Sequence, residues 1–285
     1  MKIVTTIAEL RTELAKYRKS NKSIGCVPTM GALHEGHMDL VKKSASQNDI
    51  TVVTIFVNPL QFGKNEDLES YPRRLDDDAR LCEKHGATLI FSPSAASMYP
   101  ENPQTYVYNE PLENLYCGAY RPGHFRGVLT VVAKLFLAVL PDHAYFGCKD
   151  YQQAYLIRKM VDDLNFPVKI VMIPTSREKS GLARSSRNEY LSKEERNAAA
   201  SIYEGLFAAQ EEFEDEECSV QILRTIVTGA IEHAGGKVQY VQIVSQKTLL
   251  PIQDEITEKA TILVAAFFGK TRLIDNLELE NSVAL

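Results

Sequence analysis

The sequence predicts an α/β protein: a Rossmann-like, doubly wound parallel sheet followed by a smaller C-terminal α+β domain. Three observations point there. Short runs rich in Val, Ile and Thr alternate with helical patterns through the first two-thirds of the chain, as parallel βαβ units do. Beyond about Thr175 the pattern changes to long helical stretches followed by three strand-like runs. The length of 285 residues, with 45% apolar and 24% charged, is enough for two ordinary domains with their own cores.

Taken in order, "KIVTTIAELRTEL" is amphipathic and lacks the long apolar stretch of a signal peptide. "SIGCVPTM" reads as a strand and a helix follows from about His37 through Ser46. "DITVVTIFVNP" is a second, buried strand ended by Pro59, and "RRLDDDARLCEKHG" is a helix closed by Gly86. "ATLIFSP" is a third strand, "VLTVVAKLFLAVL" a buried helix, "HAYFG" a strand, "YQQAYLIRKMVDDL" a helix and "PVKIVMIPT" a strand. In the last part, "SKEERNAAASIYEGLFAAQEEFEDEE" reads as one long helix and "SVQILRTIVTGAIEHAGG" as another, ended by glycines. "KVQYVQIVS", "ATILVAAFFG" and "TRLIDNLEL" are expected to pair antiparallel. The expected division is a nucleotide-binding domain over 1–175 and an α+β lid domain over 176–285.

Bulk properties exclude several classes. A net charge of −5 argues against wholesale coating of nucleic acid. No window is long and apolar enough to span a bilayer. The five cysteines are scattered without CxxC spacing, which fits reduced cytosolic thiols better than disulfides or a zinc site. A cytoplasmic protein with small-molecule partners is therefore expected. The acidic run "EEFEDEE" reads as a solvated helix end.

In open α/β sheets ligands bind beyond the carboxyl ends of the strands. "TMGALHEGH" leaves the first predicted strand there, with Gly31 and Gly36 permitting close backbone approach at a helix N-terminus. His34 and His37 lie one turn apart; they either donate to phosphate oxygens or simply cap the helix. "FVNPLQF" places Asn58 and Gln61 at the same sheet edge, where amides offer donors and acceptors. "AYFGCKDYQQ" places Lys149, Asp150 and Gln153 past another strand. "REKSGLARSSRNEYL" carries Ser185, Ser186 and Arg187 after a mobile-looking Lys179-Ser180-Gly181; it suits an anion, or is an ordinary polar loop.

Together "PTMGALHEGH", "FVNPLQF", "YRPGHFRGV", "FGCKDYQQ", "GLARSSRN" and "TRLIDN" closely resemble, in the same order, the motifs of the pantoate–β-alanine ligase family. That family lies within the nucleotidyltransferases with HIGH-type and KMSKS-type motifs. The resemblance runs from Pro28 to Asn276. It implies an ATP-dependent condensation of (R)-pantoate with β-alanine through a pantoyl-adenylate, releasing pyrophosphate and then AMP. It implies that Met30, Gly31, Ala32, Leu33, His34, Glu35, Gly36 and His37 hold ATP, with His37 as proton donor. It also implies ATP contacts from Gly147, Cys148, Lys149 and Asp150, and from Ser176 through its backbone. Arg184, Ser185, Ser186 and Arg187 are implied to close over the triphosphate. Gln61 and Gln153 are implied to bind pantoate, with Gln61 also near β-alanine; Arg121 and Tyr71 resemble pocket residues. Mg²⁺ is implied to accompany ATP, without a direct protein ligand and with Asp77 and Asp78 as indirect supports. A homodimer built through the first domain is also implied.

The chain departs from the family pattern at Arg184, usually apolar, at Ser180, often an acid, and at Cys148, commonly Glu. Rival readings are an aminoacyl-tRNA synthetase, a nucleotidyltransferase for a phosphorylated substrate and a non-catalytic nucleotide-binding module. The acidic balance and short chain oppose the first. The second gives no reason for "FVNPLQF" or "KDYQQ".

Overall fold

Alternating apolar runs and helices give two units in a computed structural model that describes residues 1–63 and 66–280. One unit comprises Met1–Gly147 and Gln153–Pro174; the other comprises Cys148–Gln152 and the chain from Thr175 onward.

The first unit holds a parallel sheet of β1 (Lys2–Val4), β2 (Ile24–Thr29), β3 (Ile50–Ile55), β4 (Leu89–Phe91), β5 (His143–Gly147) and β6 (Lys169–Ile173). Its helices are α1 (Ile7–Arg18), α2 (Glu35–Gln47), α3 (Leu75–Lys84), α4 (Ala95–Met98), α5 (Cys117–Tyr120), α6 (His124–Val139) and most of α7 (Tyr151–Asp163). The strand order is β1-β4-β3-β2-β5-β6. The chain steps outward from β2 through β3 to β4, then returns to place β5 on the other side of β2. That reversal makes the carboxyl ends of β2 and β5 the topological switch point, where such sheets bind ligands.

Continuous burial explains the apolar runs: every residue of β3 and β4 is buried. Met38 and Val41 of α2 are fully buried in a core with Val27, Val53, Ile90 and Tyr145. Each contributes roughly 1.5–3 kcal/mol of burial, which holds the N-terminus of α2 at the switch point. The short edge strand β1 lies in the stretch read from sequence only as amphipathic; three residues carry too little periodicity to mark a strand. Helix α2 begins at Glu35, slightly earlier than the expected His37.

In the second unit, α8 (Lys193–Ala198), α9 (Ser201–Glu214) and α10 (Val220–His233) precede β7 (Lys237–Ser245), β8 (Ala260–Phe268) and β9 (Thr271–Leu279). The three strands pair antiparallel in sequence order. Ile202 and Leu206 of α9 and Leu223, Val227 and Ile231 of α10 share a core with Ile243, Ile262 and Val264 of the sheet. The single long helix expected over this region divides at Ala199–Ala200. There i→i+3 bonds, Ala200 N–H to Asn197 O and Tyr203 N–H to Ala200 O, tighten the turn. Among the described residues no helix is long and apolar enough to cross a membrane.

Candidate active site

Gly31 and Ala32, in the loop leaving β2, have φ of +87° and +51°. A non-glycine residue in this left-handed region costs about 1–2 kcal/mol. The strain turns the N–H groups of Ala32 and Leu33 toward Asp78 of α3, whose carboxylate accepts them at 3.0 and 2.8 Å. A Cβ at Gly31 would lie 3.0 Å from Asp78 Oδ2 at a φ of +87°, so a side chain there would be strained and would crowd the carboxylate. Burial pushes the Asp78 carboxyl above its ordinary range despite these bonds.

The loop ends at His34, the N-cap of α2. Its Nδ1 accepts from Gly36 N–H at 3.2 Å, and Nδ1 of His37 accepts from His34 N–H at 3.3 Å. Two imidazoles thus form a capping box, a task usually given to Ser or Thr with Glu. With Nδ1 accepting, each neutral ring carries its proton on Nε2. The ring centroids are 4.1 Å apart. Capping and phosphate binding are therefore compatible: one ring edge serves the backbone, and Nε2–H on the other is a donor suited to an oxyanion.

After β3, a 3-10 turn over Pro59–Gln61 is capped by Asn58, which is completely buried. Asn58 Oδ1 accepts from Tyr99 OH at 2.8 Å, and Nδ2 donates to Gly127 O at 3.0 Å and Gln61 Oε1 at 3.1 Å. This fixes the Gln61 amide, whose Nε2 then faces Met30 Sδ at 3.0 Å. A Cβ on Gly127 would stand 2.3 Å from Leu60 O, so glycine is what lets α6 approach the turn. From the start of α6, His124 Nδ1 donates to Gln61 O at 2.8 Å, and Arg121 donates to His124 Nε2 at 2.9 Å. An arginine only donates, so His124 carries its proton on Nδ1, opposite to His34 and His37. Arg121 also grips Glu66 through two bonds, at 2.6 and 2.7 Å. Burial opposes the charge on Glu66, but Arg121 outweighs it and holds the carboxyl below its usual range. Tyr71 is buried with its ring edge-on to Phe62.

Within the first unit Met30 thus meets Gln61 and His34 meets His37, with Met30 and His34 on the same loop that leaves β2. Gly147 ends β5, and Gln153 lies in the first turn of α7. Asp77 and Asp78, expected as indirect supports of a metal ion, have other partners: Asp77 pairs with Arg80, and Asp78 holds the loop.

In the second unit, Cys148, Lys149 and Asp150 form a 3-10 turn, with Lys149 Nζ 3.8 Å from Asp150 Oδ1. The Lys149 side chain is largely buried. The loop that holds the mobile-looking Lys179-Ser180-Gly181 stretch is closed on itself. Ser176 O accepts from Arg184 N–H, Arg177 bridges to Ala183, and Glu178 N–H donates to Leu182 O. Ser180 lies at its exposed tip. Ser185 then caps a short turn by accepting from Arg187 N–H at 3.3 Å, with Ser186 the first residue of that turn. Sequence reasoning missed Asp78 as the loop's anchor, His124, and Asn276. "RPGHF" and "TRLIDN" carried the only signals, as motifs without assigned tasks.

A doubly wound sheet with a helix N-terminus and an imidazole pair at its switch point defines a nucleotide-handling enzyme of the α/β class. The family model described as Pantoate-beta-alanine ligase matches residues 2–278, and the chain belongs to that family. It is 49% identical to a pantothenate synthetase of a Sulfurihydrogenibium species, covering 98% of this chain and 100% of that protein. A solved pantothenate synthetase from Thermus thermophilus is 46% identical, with a TM-score of 0.92 over 98% of this chain and 99% of that one. A pantoate–β-alanine ligase from Francisella tularensis, solved with a β-γ ATP compound and β-alanine, is 36% identical. Its TM-score is 0.80 over 99% of each chain.

Proposed function

We infer that the chain joins (R)-pantoate to β-alanine, forming pantothenate with release of AMP and pyrophosphate. The observation that carries this reading is the match to the ligase family across residues 2–278. A pantoate carboxylate oxygen attacks the α-phosphorus of ATP and the bond to pyrophosphate breaks. The β-alanine amine then attacks the acyl carbon and AMP leaves with the electron pair.

Phosphoryl chemistry of this kind needs positioning and charge neutralisation more than covalent work by the protein. The Nε2–H groups of His34 and His37 are suited to phosphate oxygens, as are Lys149, Ser185, Ser186 and Arg187. Met30, Gly31 and Ala32 through Gly36 shape the ATP-side loop; Gly147, Cys148, Asp150, Ser176 and Arg184 supply the further ATP contacts we propose. Gln61, with its amide fixed by Asn58, is a donor for an oxygen of pantoate, and Gln153 joins it. Among the described residues no three His, Cys, Asp or Glu side chains gather to hold a metal ion. Mg²⁺ accompanying ATP would be carried on the nucleotide's own phosphates, where it would neutralise charge. Arg184 to Arg187, carried by the internally bonded loop that begins at Arg177, close over the bound triphosphate, and the family resemblance supports a homodimer.

AMP should appear only when ATP, pantoate and β-alanine are all supplied. AMP formed with pantoate absent would remove this assignment. Loss of one donor to developing charge costs roughly 3–4 kcal/mol, so Lys149→Ala should slow turnover on the order of a hundredfold or more.

A further inference from the structure

Asn276 lies near the end of β9 and is buried, 5% exposed. Its side-chain nitrogen donates to two successive carbonyls, Cys148 O at 2.9 Å and Lys149 O at 2.8 Å. A carboxamide has two N–H donors on that atom, and both are used on this turn. Its neighbour Asp275 is also buried; Oδ1 accepts from Asn276 N–H at 2.8 Å and from Arg177 Nη2 at 3.1 Å. Arg177 Nη1 bonds Asp275 Oδ2 at 2.5 Å and Gly181 O at 3.1 Å, and the guanidinium lies 4.0 Å from the Tyr203 ring. Two adjacent residues of one strand therefore hold both the turn that carries Lys149 and the loop that carries Arg184 to Arg187.

We propose that Asn276 is a positioning residue that aims Lys149, fixing the lysine's backbone to the strand that also anchors the Arg177–Arg187 loop. The proposal rests on the reading of Lys149 as a phosphate-binding cation. Two bonds to consecutive carbonyls fix the peptide planes on either side of Lys149, and so the direction of its Cα–Cβ bond. With the Arg177–Asp275 pair beside it, lysine and loop form one body. An amine that must sit within hydrogen-bond reach of a phosphate loses much of its effect when displaced by about an ångström, a change worth up to roughly a hundredfold in rate.

The test compares the parent chain with Lys149→Ala, Asn276→Leu and the double variant, reading pantoate-dependent exchange of labelled pyrophosphate into ATP. Asn276→Leu removes both donors at similar volume. Asn276→Ser keeps one hydroxyl donor and serves if the leucine variant does not fold; melting temperatures identify that case. We expect Asn276→Leu to lower the exchange rate tenfold to a hundredfold, and Asn276→Ser to lower it less. KM for β-alanine in the full reaction should stay at the parent value. The double variant should be no slower than Lys149→Ala alone, because a residue acting through Lys149 has nothing left to position. Parent-like exchange in folded Asn276 variants, or losses that multiply in the double variant, would overturn the proposal. Parent-like exchange by Lys149→Ala would instead remove the reading on which it rests.

Discussion

The carboxylate of Asp78 receives the N–H groups of both Ala32 and Leu33, 46 and 45 residues away in sequence, at 3.0 and 2.8 Å. Successive N–H groups turned the same way by left-handed residues make a concavity suited to an anion. Here a side chain of the protein fills it, and the strained loop before His34 is held from α3. Asp78→Ala should therefore destabilise the fold by about 2–3 kcal/mol, since one buried and one half-buried N–H lose their acceptor. Asp78→Asn, which keeps one acceptor oxygen, should cost less. Urea unfolding at neutral pH reads both, and equal stability of Asp78→Ala and the parent would show that the loop needs no anchor.

The two edges of the His34 ring separate in a variant. Asparagine is among the best N-cap residues, so His34→Asn should keep α2 capped and the melting temperature within a few degrees of the parent. It removes Nε2–H, so exchange of pyrophosphate into ATP should fall on the order of a hundredfold. A variant as active as the parent would make His34 a cap and nothing more.

The Glu66–Arg121 pair has an acid limit. The Glu66 carboxyl is held below its unfolded value of 4.5 because Arg121 outweighs the burial that opposes its charge. Its contribution is thus complete above about pH 4.5 and is lost as pH falls through the lower folded value. Thermal melts from pH 7 to 3 should show a steeper acid loss for the parent than for Glu66→Gln. Parallel curves would mean that the pair does not contribute.

The amide of Gln61 is oriented by its neighbour. Asn58→Asp replaces the Nδ2 donor opposite Gln61 Oε1 with a carboxylate oxygen, which repels it and favours a turned amide. KM for pantoate should rise about tenfold, equivalent to ~1.4 kcal/mol, with KM for ATP little changed. Equal increases for both substrates would point to general disruption of the turn.

The sheet was legible because its signal is local. Continuous apolar runs such as "TVVTIF" and helices ended by glycine, as at Gly86, reveal their type within a dozen residues. The division of α8 from α9 was not legible, because "NAAAS" is as good a helix as any and only packing of Ala199 and Ile202 selects the tight turn. In the candidate site, His34, His37 and Gln61 stand in recognisable motifs. Asp78, His124 and Asn276 act on backbone carbonyls or N–H groups far along the chain, at Leu33, Gln61 and Lys149. Backbone partners leave no trace in a sequence, since every residue has them.

The central claim is that pantoate's carboxylate, rather than water or an amine, attacks the α-phosphorus before β-alanine takes part. Isotope exchange between labelled pyrophosphate and ATP tests it most directly. Exchange should require pantoate and proceed with β-alanine left out. No exchange until β-alanine is added, or equal exchange without pantoate, would contradict the account.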